Sequence, residues 1–72
     1  MNTQRRIKLI REGEFMAEVD VELIVAPPAW EPYLSMEDAH KLDQVRAALK
    51  AADIHTASSL AAVYRTVPVG AT

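Results

Sequence analysis

Two pairs of side chains have a spacing that metal binding or catalysis could use. Glu37 and His40 lie three residues apart, the spacing with which helix bundles hold carboxylate-bridged metals. His55 and Ser58 share that spacing and could form a base and a nucleophile. Only Asp43 lies near the first pair, and no third group or oxyanion donor accompanies the second. We therefore interpret both pairs as solvated helix surface and predict no catalytic residue, metal or cofactor.

The composition removes further classes of chemistry. The 72 residues contain no cysteine, which excludes disulfides, thiolate zinc sites and cysteine nucleophiles. Two glycines are too few for a phosphate-binding loop. A formal net charge of -2 lacks the basic excess of a protein that coats nucleic acid. Because no segment has the apolar core of a signal peptide or membrane span, we expect one small cytoplasmic domain over 1–72 with no membrane partner.

The N-terminal third has the alternating pattern of a β-hairpin. Two segments that alternate at period two flank Gly13, so the sequence predicts a hairpin over residues 5–25. In the second segment the odd positions from Phe15 to Val25 are apolar and are predicted to face the core. Ile7 and Leu9 join that face only if odd positions of the two strands are paired, which requires a loop of three residues.

Two such loops remain open at this point. A loop over 11–13 places Gly13 at a left-handed position and pairs Arg6 with Glu18. A loop over 12–14 pairs Arg6 with Asp20 and Lys8 with Glu18. The freedom of glycine at positive φ favours the first, because exposed ion pairs contribute only about 0 to 1 kcal/mol.

The rest of the sequence predicts a connector followed by two helices. Three of the four prolines lie in a stiff connector over 26–34, which also carries Trp30 and Tyr33, expected to cover an open end of the core. Ser35 is the predicted N-cap of a helix over about 36–52. The apolar face of this helix is formed by Met36, Ala39, Leu42, Val45, Leu49 and Ala52.

A second helix is predicted over about 54–65. Asp53 is its N-cap, and Pro68 prevents its continuation. Residues 66–69 could then return as a short edge strand, a position in which proline is tolerated. The predicted fold class is therefore α+β: an N-terminal β-hairpin, with residues 66–69 as a candidate third strand, packed on two helices.

Two segments resemble known families. Residues 13–19, with a glycine turn leading into Phe15, Ala17, Glu18 and Val19, resemble the hairpin of HicB-like antitoxins. Residues 33–39, 49–54 and 63–65 are similar in order to winged helix-turn-helix domains of the excisionase and MerR types, without their recognition-helix segment. As a whole the chain is similar to short bacterial proteins encoded beside toxin-like genes. This resemblance assigns no functional residue.

Three functions follow from these observations. The first is a small cytoplasmic protein-binding module, antitoxin-like or regulatory and not an enzyme, that joins a protein partner or a second copy through an exposed strand edge. The residues predicted for that contact are Val21, Leu23, Val25, Trp30 and Tyr33. The second is a dimeric DNA-binding regulator that uses Arg6 and Lys8 of the basic first strand. The third is an enzyme subunit that completes a shared active site.

Overall fold

The architecture is a four-stranded antiparallel sheet with two helices against one face. The computed structural model describes residues 2–25 and 31–70. In chain order its elements are β1 (Asn2–Glu12), β2 (Phe15–Val25), β3 (Tyr33–Leu34), α1 (Met36–Lys50), α2 (Ile54–Leu60) and β4 (Ala62–Arg65). β2 is central, with β1 on one side and both β3 and β4 on the other. The α+β class predicted from the sequence is confirmed.

The hairpin closes through two residues, not three. Glu12 is paired with Phe15, which leaves Gly13 and Glu14 as the loop. Gly13 has a φ of 58° while Glu14 is not in the positive-φ region, the pattern of a type II′ turn with glycine first. Both predicted three-residue loops are therefore wrong, although the left-handed glycine is correct.

This loop length sets the face on which each residue of β1 lies. Arg6 is paired with Val21 and Lys8 with Val19, so the predicted pairings of Arg6 and Lys8 with carboxylates do not form. Even positions of β1 share the helix-facing side of the sheet with odd positions of β2. Ile7 and Leu9 consequently lie on the outer face, contrary to the expectation that they join the core.

The core lies between β2 and the two helices. All its buried residues are apolar, and the predicted odd face of β2 is confirmed by three of them. The cluster consists of Ile10, Ala17, Val19, Val21, Val45, Ala48, Leu49 and Ala57. Among the side chains of β1 that the structure describes, Ile10 alone belongs to this cluster, so β1 is held to the sheet mainly by its backbone bonds to β2.

Helix α1 begins as the sequence predicts. The hydroxyl of Ser35 accepts a hydrogen bond of 3.1 Å from the backbone N–H of Asp38. The helix ends at Lys50, and Ala52 has a φ of 55°, so the predicted extension to residue 52 does not occur. Three residues of the predicted apolar face are exposed: Met36, at 90%, Ala39 and Ala52.

The C-terminal segment differs most from the prediction. α2 ends at Leu60 instead of continuing to residue 65, and residues 62–65 form β4. Val63 is paired with Ala17 and Tyr64 with Met16, since valine and tyrosine are well suited to a pleated, half-buried strand. The predicted strand over 66–69 is not observed. Directly after β4, the backbone N–H of Thr66 donates a 2.7 Å hydrogen bond to the carbonyl of Glu14.

Candidate functional site

The longest unpaired backbone edge in the described residues belongs to β1. This strand has eleven residues, about twice the usual strand length, and in the described part of the chain it is paired with β2 alone. Because Glu12 and Phe15 form the closing pair of the hairpin, the even residues of β1 bond to β2 and the odd residues direct their N–H and C=O groups outward. We call the outward-directed groups of residues 3–11 the open edge.

The other long edge, that of β2, is closed by three different elements. β4 covers residues 15–18 and β3 covers residues 23–24. In the gap between them the ammonium of Lys41 donates a 2.7 Å bond to the carbonyl of Asp20. The carboxylate of Asp38 accepts a 2.7 Å bond from the backbone N–H of Glu22. In this gap, therefore, side chains of α1 and not a strand bond to the backbone of β2.

Apolar side chains stand beside the open edge on the outer face. Ile7 is 59% exposed and Leu9 is 63% exposed. On the same strand, Ile10 is 4% exposed because it faces the helices. An unpaired strand edge together with two large exposed apolar side chains is the arrangement that another strand can cover. The exposure of this pair was not predicted, because the expected pairing of odd positions places Ile7 and Leu9 in the core. Gly13 was the sequence signal for the observed pairing, because glycine is typical of the first position of a two-residue hairpin turn.

Cations stand beside the same edge on the helix-facing side. Arg6 and Lys8 are both exposed, and the guanidinium of Arg6 donates a 3.2 Å bond to the side-chain carbonyl of Gln4. Neither forms an ion pair with any residue that the structure describes. These are the two residues predicted for DNA binding, and the structure keeps them together on one face with Gln4.

The carboxylates of β2 lie on the opposite face. Asp20 forms an ion pair with Arg5, and this carboxylate raises the pKa of Arg5 by hydrogen bonding and by its charge. Glu18 raises the pKa of Tyr64 in the same way, first by accepting a hydrogen bond. The predicted three-residue loops placed Glu18 and Asp20 on the same face as Arg6 and Lys8. The two-residue loop separates the two sets of charges.

The residues predicted for protein binding are spread over the core and the outer face. Val21 is buried, and Leu23 and Val25 are half-buried. Tyr33 is 50% exposed and lies opposite Ile24. Trp30 and residues 26–29 of the connector lie outside the described residues. Partner contact by these five residues remains a prediction.

The helix residues whose three-residue spacing could suit metal binding or catalysis are all exposed. This holds for Glu37 and His40 on α1 and for His55 and Ser58 on α2. Within residues 2–25 and 31–70, no three side chains of the types that ligate metals come together. In the same ranges, no helix has the length and apolar character needed to cross a bilayer.

Comparison of the chain with protein-family models, with curated proteins and with solved structures gives no significant match.

Proposed function

We propose that this chain is a protein-binding module, antitoxin-like or regulatory, that binds its partner by strand addition at the open edge of β1. The observation that carries the proposal is the eleven-residue edge strand with Ile7 and Leu9 exposed beside it. In strand addition, backbone hydrogen bonds supply affinity and alternate side chains supply specificity. The absence of cysteine suits the reducing cytoplasm, which is the compartment proposed here.

Two contributions favour a strand at this edge. An incoming strand satisfies the outward N–H and C=O groups of Arg5, Ile7 and Leu9, which otherwise bond to water. It also covers part of the exposed surface of Ile7 and Leu9, and full burial of such a side chain contributes about 1.5 to 3 kcal/mol. β1 contains no proline and is paired with β2 without a bulge, so it lacks two of the devices with which edge strands avoid pairing.

A proline substitution tests the proposal. Ile7→Pro removes an outward N–H and leaves the ladder to β2 intact, because position 7 does not bond to β2. Ile7→Ala is the matched control, since it shortens the same side chain and keeps the N–H. We expect Ile7→Pro to abolish capture of the protein that co-purifies with the tagged wild-type chain from its native cell, and Ile7→Ala to weaken capture less.

Two measurements accompany that comparison. Circular dichroism establishes that Ile7→Pro is folded, and Leu9→Pro, with Leu9→Ala beside it, repeats the test at the next outward position. If both proline variants are folded and capture the partner as the wild type does, the open edge is not the binding site.

A second candidate is DNA binding, and one observation favours it. Gln4, Arg6 and Lys8 are exposed along β1 and lie on the face without the β2 carboxylates, so cations that could contact phosphates are not beside those acidic groups. Phosphate contacts release counterions, so affinity should fall steeply with salt and weaken when Arg6 and Lys8 are replaced by Ala. A gel shift with duplex DNA at low salt tests this function. No retardation at micromolar protein excludes it for the chain acting alone.

A further inference from the structure

We infer that the strand added at the open edge is an acidic segment of a different protein, in which carboxylate and apolar residues alternate. This inference rests on the proposed function and names the chemistry of its partner. The carboxylates would lie beside Arg6 and Lys8 on the helix-facing side. The apolar residues would lie beside Ile7 and Leu9 on the outer face.

The charge of β1 is the first argument. The strand carries four cationic side chains, Arg5, Arg6, Lys8 and Arg11, and one carboxylate, Glu12. Its net charge is therefore +3 in a chain of net charge -2. Of the four cations only Arg5 has an ion-pair partner among the described residues, Asp20. A strand that brings carboxylates to the helix-facing side of this edge would supply partners for Arg6 and Lys8.

The same charges oppose a second copy of this chain as the occupant. In an antiparallel pairing of β1 with its own copy centred on Ile7, each Arg6 lies opposite a Lys8. When the pairing is centred on Arg6, the Arg6 side chains of the two copies lie opposite each other, and when it is centred on Lys8, the two Lys8 side chains do. These registers use most of the strand, and like charges directly opposite destabilise a sheet. The surface is complementary to a different, acidic strand.

The pairing of β1 with β2 does not supply these ion pairs. The acidic residues of β2 lie on the outer face, and Arg6 and Lys8 are opposite Val21 and Val19. Only Arg5, which lies on that outer face, forms an ion pair, with Asp20 diagonally across the strands. A phosphate backbone would match the cations, but it would leave Ile7, Leu9 and the outward carbonyls without partners. The combined surface therefore favours an acidic strand over nucleic acid.

Synthetic peptides as long as β1 test the inference. Three acetylated peptides alternate Val with Glu, Val with Gln or Val with Lys, and their affinity is measured by fluorescence anisotropy at low and high salt. We expect the Glu peptide to bind about tenfold more tightly than the Gln peptide, the Lys peptide not to bind, and the preference for Glu to shrink with added salt.

Matched variants locate the interaction. Arg6→Gln with Lys8→Gln should remove the preference for Glu over Gln. Arg46→Gln with Lys50→Gln, which removes the same charge from α1, should keep it. Duplex DNA is measured beside the peptides as the competing occupant.

The outcomes separate the two proposals. Equal binding of the Glu and Gln peptides, abolished by Ile7→Pro, overturns the acidic chemistry and leaves strand addition standing. DNA binding that depends on Arg6 and Lys8, without binding of the Glu peptide, overturns the acidic chemistry in favour of nucleic acid. Failure of every peptide to bind contradicts both proposals. Self-association through β1, detected by sedimentation and removed by Ile7→Pro, overturns the choice of a different protein.

Discussion

The carboxylate of Asp38, in the first turn of α1, accepts a 2.7 Å hydrogen bond from the backbone N–H of Glu22 in β2. The bond lies where β2 has no strand beside it, between the stretches covered by β3 and β4. Lys41, one turn further along α1, donates to the carbonyl of Asp20. The helix therefore closes one side of the hairpin, and the open edge is left on the other side.

Replacing Asp38 should weaken the attachment of α1 to the sheet. We expect Asp38→Ala to lower the free energy of unfolding by about 1 kcal/mol, because a hydrogen bond between helix and strand is lost. Glu37→Ala is the control, since Glu37 is in the same turn with the same charge and has no such bond to β2. Urea unfolding of both variants measures the difference. Equal losses would show that the helix dipole, and not the bond to Glu22, accounts for the effect.

Neighbouring positions of β1 should respond differently to truncation. Ile10→Ala removes a buried side chain and should cost about 2 to 5 kcal/mol. Leu9→Ala removes an exposed one and should change stability by less than about 0.5 kcal/mol. Thermal or urea unfolding of the two variants measures these losses and so tests which positions of β1 the two-residue loop places in the core. A larger loss for Leu9→Ala would mean that the odd positions of β1 face the core after all.

The hairpin turn should depend on Gly13. Gly13→Ala should cost about 1 kcal/mol or more, because φ is 58° there and a side chain disfavours that region. No atom lies within 4 Å of the added Cβ, so the cost arises in the backbone and not from a clash. Glu14→Ala, at the second loop position, is the control and should be nearly neutral. A neutral Gly13→Ala would be incompatible with the left-handed turn.

The cap of α2 should give a measurable pH dependence. The hydroxyl of Thr56 donates to Asp53 at 2.6 Å and its backbone N–H at 3.2 Å, and these bonds lower the pKa of Asp53 below its ordinary value of 3.8. A pKa that is lower in the folded state stabilises the protein above the unfolded pKa. That stabilisation is lost as the pH falls through the folded pKa.

Removing the hydroxyl separates its contribution from that of the backbone. With Thr56→Val, a carboxyl titration followed by NMR should show the pKa of Asp53 moving up toward its ordinary value. With Thr56→Ser it should stay low. An unchanged pKa in the valine variant would assign the shift to the backbone N–H alone.

Local signals in the sequence predicted several elements correctly. The N-caps Ser35 and Asp53 both accept the expected backbone bonds, because a cap depends on residues only three positions away. The odd positions of β2 from Ala17 to Val21 are buried, as the alternation of apolar and acidic residues from Ala17 to Leu23 predicts. These features depend on neighbouring residues, which a single sequence contains.

Features that depend on distant residues were not predictable in the same way. If the odd positions of β1 face the core, Ile7 and Leu9 are buried, and if the even positions do, Ile10 is buried. The two-residue turn produces the second arrangement. Residues 62–65 continue a helical pattern locally, yet the unpaired edge of β2 recruits them as β4. The candidate site follows from these two outcomes, since one exposes the apolar pair and the other helps to close the competing edge.

Amide hydrogen exchange along β1, measured by NMR in the free chain and with its captured partner, tests the central claim most directly. In the free chain we expect Arg6, Lys8 and Ile10 to exchange slowly, because they bond to β2, and Arg5, Ile7 and Leu9 to exchange fast. With the partner bound, the three fast amides should become protected. Unchanged exchange of Arg5, Ile7 and Leu9, with new protection elsewhere on the chain, would contradict strand addition at the open edge.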